Sequence, residues 1–564
     1  MNITNVWGQG QIVAFSAMDG TVSAENDFAG ILSGDRIGIR FLTKTVRELA
    51  VILRDCNNLD YTAVTGDYIR FVINDECAVR IIYCKEHIII GDVCEKAKPF
   101  VFIEGDAETY RVDNIIVHNT YDGDFTAFFK DSGRFVFAYG RSEEEAVRAV
   151  KEGICVDIDD AEKKKLDYYR KNAICANDEH ERLYTKCLSV MKTQLYSPEG
   201  CMKHIWSTPD RVPHKHLWLW DSVFHSIGFL HISGALAEEL ILSIFSNQRD
   251  DGFIPHMASL NKSSTITQPP VIAWGAYKVY EKTGNVEFLK RVYECNSKFL
   301  SWCRDNRRKT EEELYVWHVS EDENCRCDES GMDNSPRFDN VKHLQAIDFS
   351  CFMANEARYM KKIGDILGNN TDEYERWYEE IRNDINKKLW DNDCRFYFDY
   401  DLDNDRINKV YSVASFLPLF TGVCDKEKAE SLVKHLSDPE MFKTDFPIPS
   451  IAVKDETFGS DMWRGPVWIN YNYMISEGLE EYGFKALADE IRDKTIECVN
   501  KWYKETGTLF EYYDSENKAV PKVLNRKGTY LEPYNMNIRI QSVRDYGWSC
   551  TLVCDLLYKK YFKY

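Results

Sequence analysis

The chain has 564 residues, 44% of them hydrophobic and 13% aromatic, with a formal charge of −20 at pH 7. That length exceeds what one hydrophobic core fills, so two domains are expected, and the apolar content excludes a disordered chain. The acidic excess disfavours nucleic acid and anionic membranes as partners, because their phosphates would be repelled.

The N-terminal stretch MNITNVWGQGQIVAF has neither a basic start nor a continuous apolar run, so no secretory signal is read. From Gln9 to about Gly140 come short apolar or alternating runs, among them RIGIRFL, YIRFVIN, AVRIIYC, HIIIGDV and RFVFAYG, separated by Asp, Asn and Gly turn signals. This spacing predicts an antiparallel β-sandwich over residues 1–142. The period then changes. SEEEAVRAVKEG and DAEKKKLDYYRKN start with Ser or Asp, carry acids early and lysines late, and predict a helical linker over 143–176. Residues 177–564 are predominantly helical in period, most clearly at 178–194, 236–248, 270–283, 286–306, 344–367, 371–389, 467–482, 484–503 and 543–559.

The most apolar segment, HLWLWDSVFHSIGFLHISGALAEELILSIF, is broken by Asp221, three histidines and two glutamates, too polar for a membrane span. A cytoplasmic protein with no membrane partner is expected. The eighteen cysteines lack metal-ligand spacing, Cys325 and Cys327 in CRCD having no second pair, and are expected as reduced thiols. Acids alternate in DYDLDNDRI from Asp399, but the glycine and late glutamate of a calcium loop are missing, so a hairpin turn is expected. No metal and no cofactor are proposed.

The loops between helices are unusual in content: WSTPDRVPHKHLWLWDS, NQRDDGFIPHM, ESGMDNSPRFD, DMWRGPVWINYN and TGTLFEYYDSEN combine tryptophan, arginine and carboxylates. Aromatic faces stack on the C–H face of a sugar ring while carboxylates and guanidinium groups bond its hydroxyls, so a small carbohydrate is the expected ligand. Breaking a glycosidic bond requires one carboxylic acid to protonate the leaving oxygen and a second carboxylate on the opposite face.

LWLWDSVFH, NQRDDGFIPH, QPPVIAW, ESGMDNSPR, WRGPVWINYN and FEYYD, in that order, resemble glycoside hydrolase family 63, with the family 37 trehalases as cousins. The resemblance covers about residues 180–560 and implies an α+β two-domain protein, the β-sandwich being followed by an (α/α)6 barrel over 177–564. It further implies an inverting, exo-acting α-glycosidase with Asp333 as general acid and Glu511 as general base. Asp514 and Glu505 are close enough in sequence to compete for the second role. Asp221 and Gln268, with the backbone at Gly331, resemble contacts to the terminal sugar, and Trp220, Trp463 and Trp468 resemble the walls and platform around it. Arg337 and Arg211 are expected as hydroxyl or carboxylate clamps. Glu329, in the same loop as Asp333, is expected either to raise the acid's pKa as a like charge or to orient the loop.

Relatives acting on glucosyl or mannosyl glycerate leave that aglycone open, with Arg211 or Lys215 as its cationic clamp. A non-hydrolytic binding protein, lyase or epimerase would instead use a histidine or tyrosine base, for which His214, His216 and His256 are available. The N-terminal domain is compatible with a homo-oligomer contact, which its sequence does not specify.

Overall fold

The computed structural model describes residues 12–15, 28–33, 36–41, 47–85, 87–210, 214, 216–308, 314–322, 325–527 and 541–562. The chain divides into two compact units. One comprises Met1–Glu199 with Tyr503–Thr508 and Tyr558–Tyr564; the other comprises Gly200–Trp502 and Leu509–Leu557.

The first unit is rich in sheet. A five-stranded antiparallel sheet runs in the spatial order Ile12–Phe15, Phe28–Ser33, Arg36–Phe41, Arg47–Leu53, Ala97–Ile103. An eight-stranded antiparallel sheet runs Glu108–Val112, Ile115–Asn119, Phe125–Asp131, Arg134–Gly140, Ile88–Asp92, Cys77–Lys85, Tyr68–Ile73, Leu59–Val64. Successive residues Phe135, Val136, Phe137 and Ala138 are all wholly buried, so the larger sheet is covered on both faces.

Helix α1 (Glu143–Cys155) begins at Ser142, whose hydroxyl accepts from Glu145 N, and covers one of those faces. Its Ala146, Val147 and Val150 join Ile88, Ile90, Val117, Ala127 and Val136 in one apolar cluster. Gly153 permits the close approach, since a Cβ there would lie 2.6 Å from Val136 Cγ1. Residues 143–155 are therefore a layer of this unit rather than a free linker. The division between the units falls at Glu199, beyond the expected boundary at 176, because α2 (Ile158–Lys171) and α3 (Asp178–Thr193) belong to the sheet-rich unit as well. Lys165 of α2 and Lys192 of α3 both pair with the buried carboxylate of Asp67. Cys77 and Cys94 form a disulfide, correcting the expectation that every cysteine is reduced; spacing alone does not reveal which strand ends lie side by side.

The second unit contains α4 (Leu219–Phe229), α5 (Gly234–Ile244), α6 (Ile272–Thr283), α7 (Val286–Asn306), α8 (Ile347–Leu367), α9 (Asp372–Lys388), α10 (Leu417–Thr421), α11 (Lys426–Leu436), α12 (Ile469–Glu481), α13 (Lys485–Thr506) and α14 (Gly547–Tyr561), the last two ending in the first unit. All eleven residues of α4 are buried, so no one-sided apolar stripe marks it. In contrast α9 buries only Tyr374, Trp377, Ile381 and Ile385, a stripe of helical period. Contacts run from α4 to α5 and α6, from α6 to α7 and α8, from α8 to α9 and α10, and from α10 to α12. Among the described residues, no helix is long and apolar enough to cross a membrane.

Candidate active site

Five of the connections that enter helices meet at one cavity of ≈150 Å³. Asp221 lies in the first turn of α4, Gln268 just before α6, Asp333 in the connection before α8, Trp468 at the N-cap of α12, and Trp548 in the first turn of α14. Glu511, from the connection between α13 and α14, lines the same cavity. The volume is below the ~300–1,000 Å³ typical of drug-sized ligand sites.

The segment from Glu329 to Asp339 is fastened at three points. The carboxylate of Glu329 accepts from Thr267 N at 3.0 Å and His318 N at 2.8 Å and pairs with Arg307 at 2.6 Å. Its carboxylate thus ties the loop to the backbone at Thr267 and His318 and to the Arg307 side chain. Arg464 donates to Asn334 O at 2.9 Å and to Asp339 at 2.7 Å.

Arg337 supplies the third point, and here the sequence reading is corrected. The side chain is wholly buried between Asp348 and Asp399, donating to each at 2.7–2.9 Å, and it does not line the cavity. Two buried carboxylates, one from the first turn of α8 and one from the hairpin strand Asp399–Asp401, draw the guanidinium inward. Gly331 is required twice over: its φ is +69°, and a Cβ would fall 2.4 Å from the ring of Trp220.

The remaining expected residues divide as follows. Asp333, Glu511, Trp220, Asp221, Gln268, Gly331 and Trp468 line the cavity. Trp463 stands behind it, stacked on Trp468 with centroids 3.8 Å apart, and is a support rather than a wall. Arg211 and Lys215 lie outside the described residues. His214 and His256 reach the cavity and His216 does not. Burial lowers the His256 pKa to about 4, outweighing the attraction of Asp333, and its Nδ1 lies 2.6 Å from Ser264 Oγ.

Each of the two principal carboxylates has its own cation. Asp333 Oδ2 is 2.6 Å from Lys527 Nζ, which also approaches Cys325 Sγ at 2.8 Å and Asp328 Oδ1 at 3.6 Å. Burial alone would lower the Lys527 pKa, but Asp333, Cys325 and Asp328 around it prevail and raise it. The ligand atoms of Cys325, Asp328 and Asp333 converge closely enough for a metal, yet the charge a metal would bring there is supplied by Lys527. Glu511 is paired through Oε2 with Arg526 Nη1. Asp221 is pushed well above the usual carboxylate range, first by burial and then by the charge of Glu511, and its Oδ1 has no hydrogen-bond partner among the described residues. The indole Nε1 of Trp548 is likewise buried without a partner among them. An open acceptor on Asp221 and an open donor on Trp548, both on cavity-lining residues, suit the hydroxyls of a sugar.

Arg526, Lys527, Trp548, Tyr546, Trp218, Met462 and Asp328 were not singled out in the sequence, and the NRK triplet at 525–527 carries no motif that would have found the first two.

Residues 214–549 match the family model described as mannosylglycerate hydrolase MGH1-like glycoside hydrolase domain. A mannosylglycerate hydrolase of Thermus thermophilus is 26% identical over 396 residues, which cover 55% of this chain and 91% of that protein. The crystal structure of a GH63 mannosylglycerate hydrolase from Thermus thermophilus in complex with Tris superposes with a TM-score of 0.55 at 23% identity, covering 66% of this chain and 99% of the other. A bacterial glucoamylase complexed with acarbose superposes with a TM-score of 0.57 at 12% identity, covering 100% of this chain and 99% of the other, a likeness of fold.

Proposed function

Because the chain belongs to the mannosylglycerate hydrolase MGH1-like glycoside hydrolase family, it is a glycoside hydrolase, and we propose that it is an inverting, exo-acting α-glycosidase that removes one terminal α-linked sugar, glucose foremost, from a small glycoside. The observation that carries this reading is the joint placement of Asp333 and Glu511 on one small cavity. In this reading Asp333 protonates the glycosidic oxygen, and Glu511 takes a proton from the water that attacks the opposite face of the anomeric carbon. Inversion requires the two carboxyl groups about 6.5–9.5 Å apart, with room for that water. Asp221 and Trp548 bond ring hydroxyls, Gln268 and Trp220 close the pocket floor, and Trp468 is the platform. The alternation of fully buried and amphipathic helices, with cavity residues at the N-terminal ends of α4, α6, α8, α12 and α14, supports an (α/α)6 toroid as scaffold. The Nε2 of His214, the nitrogen that would act as a base, is met by Arg526, which weighs against elimination or epimerisation through it.

A panel of α-linked glucosides and mannosides followed by anomeric proton NMR tests the proposal. The β-anomer should appear first, and Asp333→Asn should lower turnover of substrates with poor leaving groups by about 10²–10⁴-fold. A retained anomer, or full activity of that variant, overturns it.

Lys527 favours a second reading of the aglycone. For Asp333 to deliver its proton, the ammonium has to yield its place beside the carboxylate to the leaving oxygen, and a carboxylate on the aglycone offers it another partner. A glycerate aglycone meets that requirement, as in the relatives named mannosylglycerate hydrolase. Comparing one sugar linked to glycerate and to glycerol separates the two readings.

A further inference from the structure

We infer that His214 and Arg526 are positioning residues for Glu511: His214, held by Asp210, aims the Arg526 guanidinium at one oxygen of the base and leaves the other for the attacking water. The inference rests on the assignment of Glu511 as general base and adds residues to which that assignment gave no role.

The chain of contacts is continuous and buried. Asp210 accepts at both carboxylate oxygens, Oδ1 from His214 N at 3.2 Å and Oδ2 from His214 Nδ1 at 2.6 Å. A carboxylate cannot donate when ionised, so the proton lies on Nδ1 and the tautomer is set. A guanidinium can only donate, so Nε2, which faces Arg526 Nη2 at 3.3 Å, is the accepting nitrogen. The other terminal nitrogen, Nη1, pairs with Glu511 Oε2. Side-chain exposures of Asp210, His214, Arg526 and Glu511 are 3%, 8%, 6% and 3%, so little solvent screens the interactions.

The imidazole is itself immobilised. The His214 carbonyl accepts from Thr208 Oγ1 at 2.8 Å and from Trp218 Nε1 at 3.1 Å, and the ring meets Trp218 and Tyr546 edge to face. A guanidinium is planar, and with one edge committed to Nε2 the direction of the other is fixed. Glu511 Oε2 is also approached by Val543 N at 3.4 Å, so both donors that the carboxylate meets among the described residues act on the same oxygen.

Among the described residues, Asp221, Tyr512 and Tyr546 also act on Glu511, Lys527 acts on Arg526, and Asp461 acts on Tyr512. Burial raises the pKa of Asp221, Tyr512 and Tyr546, which lessens their charge. Arg526 is the cation against them, its own pKa raised by Glu511 in spite of burial. A general base must be ionised to work, and Arg526 places the one cation in contact with Glu511 among the described residues.

The experiment is the pH profile of kcat/KM for wild type, R526Q, R526K, H214A and E511Q. Loss of an opposite charge at contact distance moves a carboxylate's titration by about 1–3 units, so the low-pH limb of R526Q should rise by that amount, with a smaller rise in H214A. R526K, which keeps the charge, should restore the limb while turnover stays reduced. Millimolar imidazole should move the H214A limb back toward wild type. Profiles merely scaled down at every pH, with the limb in place, would mean a structural role and overturn the inference, and H214A decides the matter if R526Q does not fold. E511Q separates the two levels of argument: an active E511Q removes Glu511 as base, whereas an inactive E511Q with an unmoved R526Q limb removes only the positioning role.

Discussion

Glu356 offers the most quantitative test of how the helical unit is held together. It sits on α8, wholly buried, and its carboxylate caps the N-terminus of α6, accepting from Ala273 N at 2.8 Å, Trp274 N at 3.2 Å and Asn296 Nδ2 at 2.7 Å. Burial raises its pKa and the hydrogen bonds lower it; burial wins, and the pKa rises from 4.5 to about 7. The folded state thus binds this proton more tightly than the unfolded chain does. Its contribution to stability is complete below pH 4.5 and is lost as the pH rises to about 7. A shift of ~2.5 units corresponds to ~3 kcal/mol at 1.36 kcal/mol per unit. The helical unit, of roughly 350 residues at ~2.1 cal/mol/K each, unfolds with an entropy near 0.7 kcal/mol/K, so that energy amounts to ~4–5 °C in Tm. Glu356→Gln keeps the shape and removes the titration. Calorimetric Tm of both proteins from pH 4 to 8 should show the difference between variant and wild type moving by about 4–5 °C in favour of the variant as the pH rises. Parallel Tm curves would refute the reasoning, whatever their constant offset.

Gly331→Ala forces a Cβ to within 2.4 Å of the Trp220 ring at φ +69°, costing ~1–3 kcal/mol of backbone strain alone; KM should rise as the wall moves, and unchanged kinetics would contradict the packing. Arg337→Met leaves Asp348 and Asp399 buried without their cation, a loss of ~3–5 kcal/mol that calorimetry should register as a Tm drop of several degrees. Trp463→Leu removes the stack behind Trp468, worth ~0.5–1.5 kcal/mol, and should raise KM about 2–10-fold without altering the pH profile.

Much of the site was legible because its chemistry is local in sequence. The ESGMD stretch needs an acid, a glycine at positive φ and a following proline-led turn within a few residues, and all of these appear in the structure where the motif places them. The helices with a one-sided apolar stripe were legible for the same reason. Helix α4, buried on every side, shows no such stripe.

Arg337 shows where such reading fails. An arginine four residues after a candidate acid looks the same in sequence whether it turns to the cavity or to the core, and what drew it inward was a pair of carboxylates at positions 348 and 399. Cys77 and Cys94 were read as separate thiols because only the sheet brings their strand ends together.

The amino-acid order by itself determined the change from strand to helix period and the ordered motifs that single out Asp333 and Glu511 as candidates. Only the tertiary structure decided which cation each carboxylate meets, because Arg526 and Lys527 are neighbours along the backbone yet reach Glu511 and Asp333, one 15 residues away and the other 194. Coulomb energy and desolvation depend on distance in space, and that distance exists only after the connections have converged on one cavity.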